Sequence, residues 1–306
     1  SSGSAEVQNT IEYQAQMSGL KSLKANIKIS AQTNEKFLYY SPNHIMQYTC
    51  MSGRNTTIIT DSPHQSKQYD VEFHECIDHD DKSYDIVQIG GQYWMAENLA
   101  YLPIIGRLYD ETGIRVPSFW VYNYYGTDKD IAKKQDHYET YGVLYNASAA
   151  RISCPSGWHL PSPGECNEMT NFLGSSHSYK MKSSSAWNGG QGFNGSNSIG
   201  FNAFPGGYRW YREMYYNMGY GAFFWCQSDR DTLLIDEMVN QLRYDNSQSE
   251  IFSSWISNSY SVRCVKDMVV RTSTITHITD STAITGGKLV GPMQQLDIIE
   301  FGVCWH

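Results

Sequence analysis

Hydrophobic and polar residues alternate along the first quarter of the chain, in short stretches that polar turns separate. The stretches ANIKIS, KFLYY, NTTIIT and YDVEF follow this pattern between residues 5 and 75, with SPNH, MSGRN and DSPH between them. Strict alternation favours half-buried strands, although a helix over EYQAQMSGLKSLKA competes with the first of them. The pattern predicts a β-rich segment over residues 1–78, as a small β-sandwich or part of one.

A β-hairpin and then an irregular region are predicted next. The alternating stretches YDIVQIG and QYWMAEN meet at Gly90 and Gly91, and such a glycine pair is a hairpin turn signal. Residues 103–140 have no sustained hydrophobic period. We therefore expect a long loop with a few short elements there.

Residues 143–174 have the pattern of a helix, a strand and a second helix. Ala147, Ala150 and Cys154 recur at spacings of three and four, which predicts a helix that Pro155 ends. GWHLP reads as a short buried strand. The second helix has a full set of boundary signals, namely Ser162 as N-cap, Pro163 at the first position, Glu165 completing a capping box and Gly174 as the stop. Its buried face is predicted to carry Cys166, Met169 and Leu173.

The remaining third is predicted to be strands and connecting loops. Residues 175–260 are dense in Gly, Ser, Asn and aromatic residues, and GAFFWCQS within them has the pattern of a core strand. SYSVRCVKD is expected to form a closing strand that carries Cys264. From residue 268 the chain becomes Thr- and Ile-rich with turn signals at TDST and TGG, which predicts a new β module over residues 268–306.

Composition narrows the functional classes. The net charge of −8 argues against nucleic acid as a partner, because a phosphate backbone requires a basic surface. We expect no signal peptide among these residues, and no apolar run reaches the roughly 18 residues that a membrane span needs. Seven cysteines suit an oxidising compartment, and the odd number leaves at least one unpaired. The 23 tyrosines and 8 tryptophans exceed what a core requires and favour binding surfaces.

Four separated blocks carry a resemblance to a known family. They are YDIVQIGGQYWMAENLAY, YGVLYNASAARISCPSGWHLPSPGE, FNAFPGGYR and SVRCVKD, in that order. Over residues 79–267 the chain resembles the Fibrobacter succinogenes major paralogous domain, which is common in surface proteins of Bacteroidetes and Fibrobacteres. The resemblance implies a secreted or lipoprotein-type protein at the cell exterior or outer-membrane surface. The C-terminal STITHITDSTAITGGKLV is similar to the opening strands of immunoglobulin- or fibronectin-III-like repeats.

That family is similar to the C-type lectin fold, in which a cysteine on the first helix bonds to one on the last strand. The comparable positions here are Ala150, Cys154, Gly157, Leu160 and Glu165. The resemblance implies a disulfide between Cys154 and Cys264. It also implies an α+β fold class, with a C-type-lectin-like domain flanked by β-sandwich-type modules.

Other cysteines depart from the family pattern. Cys166 and Cys226 stand where the family has EW and WSS, so they form either a second bridge or a pair of buried free thiols. A disulfide between Cys50 and Cys76 could cross-link the N-terminal region, and the alternative is again that both thiols are free. Cys304 has no assigned partner.

The sequence contains only weak indications of a metal site or of an enzyme active site. The lectin triplets that bind calcium are missing, and Trp187-Asn188-Gly189 lacks a third ligand. The acidic clusters at Asp78–Asp81 and Asp128–Asp130 are expected to be solvated, Asp-capped turns. HLPSPGE and VRC resemble formylglycine-generating enzymes, yet Cys226 and Cys264 lie far apart in sequence. His159 is expected to be a satisfied core histidine, so we predict no catalytic residue, metal or cofactor.

One segment, GGYRWYREMYYNMGYGAFFWCQSDRD, has the composition of a ligand face. Tyr, Trp and Arg dominate contact energies at interfaces. Gly206 and Gly207 are predicted to shape a loop. The predicted ligand contacts are Arg209, Trp210, Tyr211, Arg212, Tyr215, Tyr216, Tyr220, Phe223, Asp229 and Arg230.

These features predict a non-catalytic binding or adhesion protein that presents the segment to a glycan or protein on a cell surface. A structural role, as a tip or stalk component beside neighbouring adhesin or fimbrial subunits, is the alternative. A second alternative is an oxidoreductase of the formylglycine-generating type. The segment also resembles the variable region of retroelement-diversified display proteins, which sequences from sibling isolates would test.

Overall fold

The computed structural model describes residues 11–17, 25–29, 45–65, 67–106, 116–189, 194–211, 213–228, 236–267, 269–272, 279 and 287–290. The elements are β1 (Ile11–Met17), β2 (Ala25–Ile29), β3 (Met46–Ser52), β4 (Asn55–Asp61), β5 (Asp85–Ile89), β6 (Gln92–Met95), β7 (Phe119–Trp120), α1 (Lys129–Ala132), α2 (Asp136–Tyr141), β8 (Leu144–Tyr145), α3 (Ala147–Ser153), β9 (Trp158–His159), α4 (Pro163–Leu173), α5 (His177–Met181), β10 (Gly206–Trp210), β11 (Met214–Met218), β12 (Gly221–Cys226), β13 (Asp236–Arg243), β14 (Ser249–Trp255), β15 (Val265–Lys266), β16 (Val269–Thr272) and β17 (Gly287–Val290). The fold is therefore mostly β-sheet with a few short helices.

The largest sheet has eight strands in the order β2-β1-β3-β4-β5-β6-β15-β9. Neighbours in it are antiparallel except β4 and β5, which run parallel with Thr57 opposite Ile86. The helix that competed over EYQAQMSGLKSLKA is wrong for Ile11–Met17, which form β1, whereas the strand predicted at ANIKIS is confirmed as β2. The expected N-terminal sandwich is not found in the described residues. Strands β1 to β4 instead extend the sheet of the following region, since β4 bonds directly to β5.

The hairpin predicted around Gly90 and Gly91 is confirmed. Strands β5 and β6 pair with Ile89 opposite Gln92, and Gly90 adopts a φ of 61° in the turn. Its side chains are mostly buried because the hairpin lies inside the large sheet. The irregular region over residues 103–140 contains β7, α1 and α2 within its described part.

The helix–strand–helix unit is also confirmed. Asn146 caps α3 and Cys154 follows its last residue. Ser162 caps α4 with a complete capping box to Glu165, and Gly174 ends the helix with a φ of 68°. Cys166, Met169 and Leu173 are the buried residues of α4, as their spacing predicts.

A disulfide joins the first helix of this unit to the closing strand. The sulfurs of Cys154 and Cys264 lie 2.10 Å apart, and the bond spans 110 residues of sequence. This confirms the pairing that the family resemblance implies. Cys50, Cys76, Cys166 and Cys226 are free and buried, so the suggested Cys50–Cys76 bridge is not formed. Cys304 lies outside the described residues.

A buried arginine organises the centre of the fold. Arg263 Nε donates to Asn98 Oδ1 at 2.8 Å, and its terminal nitrogens donate to the carbonyl oxygens of Met95 and Asn202 at 3.2 and 3.0 Å. Burial lowers the pKa of this guanidinium to about 9. These backbone acceptors lie on the β6 side and on the loop before β10, so Arg263 links the main sheet to the segment that carries the candidate site.

The acidic cluster at Asp78–Asp81 forms a turn, as expected, although Asp78 itself is buried, and the cluster at Asp128–Asp130 begins a helix rather than a turn. Asp78 is buried, and its Oδ1 accepts from the amides of Asp80 and Lys82 at 2.8 and 3.0 Å. Asp128 caps α1 through the amides of Asp130 and Ile131. Beyond residue 267, β16 pairs antiparallel with β17, which is β structure as predicted. The fibronectin-like assignment of residues 268–306 stays a prediction.

Candidate ligand-binding surface

The aromatic segment folds as a two-stranded hairpin of β10 and β11. Tyr208 lies opposite Tyr216, Arg209 opposite Tyr215, and Trp210 opposite Met214. Side chains alternate between the faces of a strand. Arg209 and Tyr215 therefore share one face of the hairpin, while the other two pairs share the opposite face.

Gly206 and Gly207 begin the first strand of this hairpin, so the prediction that they shape a loop is wrong. Gly207 nevertheless needs to be glycine. It has a φ of 64°, and an added Cβ would collide with the carbonyl oxygen of Tyr216 on the partner strand. The glycine thus permits close strand pairing where the sequence suggested a turn.

The Arg209 face of the hairpin packs against residues that precede α1. The guanidinium carbon of buried Arg209 lies 3.7 Å from the ring centre of Trp120, a cation–π geometry. The Tyr215 ring lies 4.9 Å from Tyr122 and 5.6 Å from Tyr125, measured between centroids. Burial lowers the pKa of Arg209. Arg209 and Tyr215 therefore fix the hairpin to the body of the protein.

The opposite face is buried at one end. Tyr208 packs on Phe223 and Tyr260, with ring centroids 5.1 and 5.3 Å away. Phe223 belongs to the hydrophobic core together with Tyr260. Arg209 and Phe223 are both buried, so they lie beneath the surface rather than on it. They support the candidate surface without forming it.

The other end of that face reaches solvent as a group of large side chains that we call the aromatic platform: Trp210, Tyr211, Met214, Tyr216 and Trp255. Ring centroids lie 5.0 Å apart for Trp210 and Tyr211, and 5.3 Å apart for Tyr211 and Trp255. Trp255 is 50% exposed and Met214 47%, which is high for such large side chains. The other three are partly exposed.

Hydrogen bonds hold the platform in place. The Tyr211 amide donates to Asn258 Oδ1 at 3.2 Å, and Asn258 Nδ2 donates to Ser254 Oγ at 3.1 Å. Arg209 and Ser259 exchange two backbone bonds of 3.0 and 2.8 Å. The hairpin is therefore tied to the segment after β14, and this keeps the rings of Tyr211 and Trp255 in contact.

The other predicted contacts lie elsewhere. Tyr220 is exposed, but its ring packs on Tyr244 at 5.3 Å between centroids, at the far end of the hairpin from the platform. Arg212, Asp229 and Arg230 lie outside the described residues. The sequence prediction missed Met214 and Trp255. Trp255 is the exposed last residue of β14, and the stretch SEIFSSW has no regular alternation from which its exposure could be predicted.

His159 is satisfied by hydrogen bonds, but its expected place in the core is wrong. Its side chain is 41% exposed and lies between two carboxylates, with Nδ1 2.6 Å from Asp267 Oδ1 and Nε2 2.9 Å from Glu165 Oε1. The bond to Glu165 is the main reason that the pKa of His159 is raised. Glu165 also serves the capping box of α4.

Two further properties bear on what the surface can bind. Within the described ranges, no three His, Cys, Asp or Glu side chains gather closely enough to hold a metal ion. None of the helices in that part of the chain is both long and apolar enough to cross a membrane.

Sheet topology, disulfide and hairpin together define a cross-linked, β-rich domain with a fixed aromatic surface. The family model of the Fibrobacter succinogenes major domain matches residues 87–266, more than half of the chain. The chain therefore belongs to this family. Neither a curated protein nor a solved structure matches it.

Proposed function

We propose that this protein is a non-catalytic binding protein, acting in adhesion at the cell surface or after secretion, and that its aromatic platform contacts a glycan or protein ligand. The observation that carries the proposal is the contiguous group of Trp210, Tyr211 and Trp255, in which Trp255 is half exposed and the other two rings are partly exposed on a hydrogen-bonded hairpin and the residue after its first strand. Tyr and Trp provide large contact areas at low entropic cost. A surface fixed before binding also loses little entropy when a ligand arrives.

The same proposal includes the C-type-lectin-like character of the fold. It is supported by the family membership and by the disulfide that joins the end of α3 to the residue before β15. Because Cys264 is bonded to Cys154, it is not free to act with Cys226 as a catalytic thiol pair. This favours binding over the oxidoreductase alternative.

The platform is tested by binding measurements on single variants. Trp255→Ala and Tyr211→Ala are each expected to weaken binding to a glycan-array hit, or to a protein captured from a cell surface, by about tenfold or more, as central aromatic contacts do. Tyr179→Ala is the matched control, because Tyr179 is also an exposed aromatic residue but lies on α5.

Wild-type binding by both platform variants would contradict the proposal. If those variants also assembled normally into a larger surface structure, the tip or stalk role would replace it. The two arms of the screen, glycan array and cell-surface capture, separate the two ligand classes.

A further inference from the structure

Two free thiols meet in the core between α4 and β12. Cys166 lies on the buried face of α4 and Cys226 ends β12, with 2% and 0% of their surface exposed. Their sulfurs are 3.1 Å apart. A disulfide needs a separation of about 2.05 Å, so a movement of roughly 1 Å brings these sulfurs to bonding distance.

The geometry favours a covalent bond over a metal site. Zinc–thiolate bonds are about 2.3 Å long, and two of them at a tetrahedral angle keep the sulfurs about 3.7 Å apart. The sulfurs of Cys166 and Cys226 are closer than that. Their neighbours in this part of the core are apolar side chains such as Met169, Ala222 and Phe224.

We propose that Cys166 and Cys226 form a second disulfide when the protein matures in an oxidising compartment. The oxidant is a disulfide, either a small molecule or an oxidoreductase. One cysteine thiolate attacks it, forming a mixed disulfide and releasing one thiol. The second thiolate then attacks the mixed disulfide and releases the other thiol. Two thiols are thus oxidised and one disulfide is reduced.

Because the two thiols are buried in the folded protein, the exchange is restricted to certain stages of folding. The hydrogen bond to Cys226 and burial both raise the pKa of Cys166, which disfavours the thiolate in the folded protein. Exchange therefore belongs to folding, before α4 packs onto β12, or to local opening of this contact. Once formed, the bond is shielded from reductants by the same burial.

The second bridge would lie inside the first in sequence. It closes a segment of 60 residues, within the 110 that Cys154 and Cys264 enclose. The inner segment contains α5 and the β10–β11 hairpin, and hence all of the aromatic platform except Trp255. The proposed bond thus extends beyond ligand binding and fixes the part of the chain that carries the surface.

Peptide mapping of the wild-type protein is the direct test. The full chain is folded with a mixture of oxidised and reduced glutathione, denatured, alkylated and digested without reduction. We expect a cross-linked peptide pair containing Cys166 and Cys226, lighter by two hydrogen atoms than the separate peptides. Cys50 and Cys76, free and buried in the structure, are expected to be alkylated and serve as internal controls.

Recovery of alkylated Cys166 and Cys226, with Cys154 and Cys264 cross-linked in the same sample, would overturn the proposal. The map does not depend on any ligand, so its outcome is separate from that of the binding measurements. It also needs no variant, so a substitution that prevents folding does not affect it.

A second test compares the thermal stability of protein folded with oxidised and reduced glutathione with that of protein folded and heated in excess reductant, so that the buried bond is never formed in the second sample. For a closed segment of this length, the wild type is expected to lose on the order of 10 °C more on reduction than the Cys166→Ala/Cys226→Ala double variant. Cys50→Ala, the matched control, is expected to keep the full wild-type difference. Equal losses in the wild type and the double variant would contradict the second bridge.

Discussion

His159 is bonded on both ring nitrogens to carboxylates, which gives it an unusual electrostatic environment for a half-exposed residue. Its partners come from α4, through Glu165, and from the residue after β15, Asp267. Both bonds favour the imidazolium, and they raise its pKa above the ordinary 6.5 even though burial acts in the opposite direction. The stability of the fold is therefore coupled to the charge of this one ring.

The coupling predicts a pH dependence with a definite sign. Because the folded pKa of His159 lies above the unfolded one, its contribution to stability is complete below about pH 6.5 and is lost as the pH rises through the folded value. Urea unfolding between about pH 6 and pH 9 should show the wild type losing stability relative to His159→Gln. Burial lowers the pKa of His74, but this effect is the same in the wild type and in His159→Gln, so it cancels when their stabilities are compared. Parallel curves would contradict the coupling.

Gly207 gives a second prediction at the residue scale. Gly207→Ala is expected to destabilise the protein by about 2 kcal/mol or more, because a Cβ collides with Tyr216 and the left-handed φ adds strain. Gly53→Ala is the matched control, because Gly53 has nearly the same φ of 62° but open space around a Cβ. We expect about 1 kcal/mol there.

Chemical denaturation of both glycine variants measures the two costs. Equal losses would show that backbone strain alone matters and that the hairpin tolerates the added atom. A larger loss for Gly207→Ala would confirm that close strand pairing requires the glycine.

At the scale of elements, α4 owes its start to local chemistry. Ser162 Oγ accepts from the amide of Glu165 at 3.2 Å, and the Glu165 carboxylate accepts in return from the amide of Ser162 at 2.8 Å. Ser162→Ala removes half of this box and is expected to cost about 1 kcal/mol. Ser176→Ala is the control, because Ser176 precedes α5 without a side-chain capping bond.

The free energies of unfolding of these two serine variants provide the measurement. Ser176→Ala is expected to change stability by less than about 0.5 kcal/mol. If Ser162→Ala is equally mild, the contact of Glu165 with His159 rather than the cap holds the first turn.

The elements that sequence predicts best are those with local signals. The ends of α4 follow from Ser162, Pro163 and Gly174, and the β5–β6 turn follows from Gly90. The parallel pairing of β4 with β5 has no such signal, because it depends on residues nearly thirty positions apart. The predicted sandwich did not anticipate this pairing. Of the strands predicted within it, ANIKIS and NTTIIT are found as β2 and β4, the stretch YDVEF is not a strand, and KFLYY lies outside the described residues.

The candidate site shows the same division. Composition identified the hairpin residues Trp210 and Tyr211, but their neighbour Trp255 comes from a strand more than forty positions away. The burial of Phe223 was also hidden, because β12 is buried on both faces and alternation carries no information there. Which aromatic side chains reach solvent is set by packing between elements.

For the whole molecule, the continuous sheet predicts that the N-terminal segment does not separate cleanly at residue 78. Ile58 of β4 packs with Val87 of the following region in the same hydrophobic cluster. It also packs closely on Gly200, since a Cβ added to that glycine would lie only 2.7 Å from the Ile58 side chain. Removing residues 1–78 exposes the edge of β5. We expect the shortened chain to unfold at lower urea concentration and to self-associate, because an uncovered edge strand pairs with other chains.

Size-exclusion chromatography and urea titration of the shortened and full chains test this. A monomeric fragment with an unchanged midpoint would support an independent N-terminal domain instead.

The order of strands around β6 also determines how the molecule carries force. Strands β5 and β15 both pair antiparallel with β6, so they run in the same direction on either side of it. Tension entering at the start of β5 and leaving at the end of β15 acts along the strands, in shear. Their hydrogen bonds must then break together rather than one by one. The bond between Cys154 and Cys264 also prevents the chain between these two residues from extending, so only the residues outside this loop can lengthen under load.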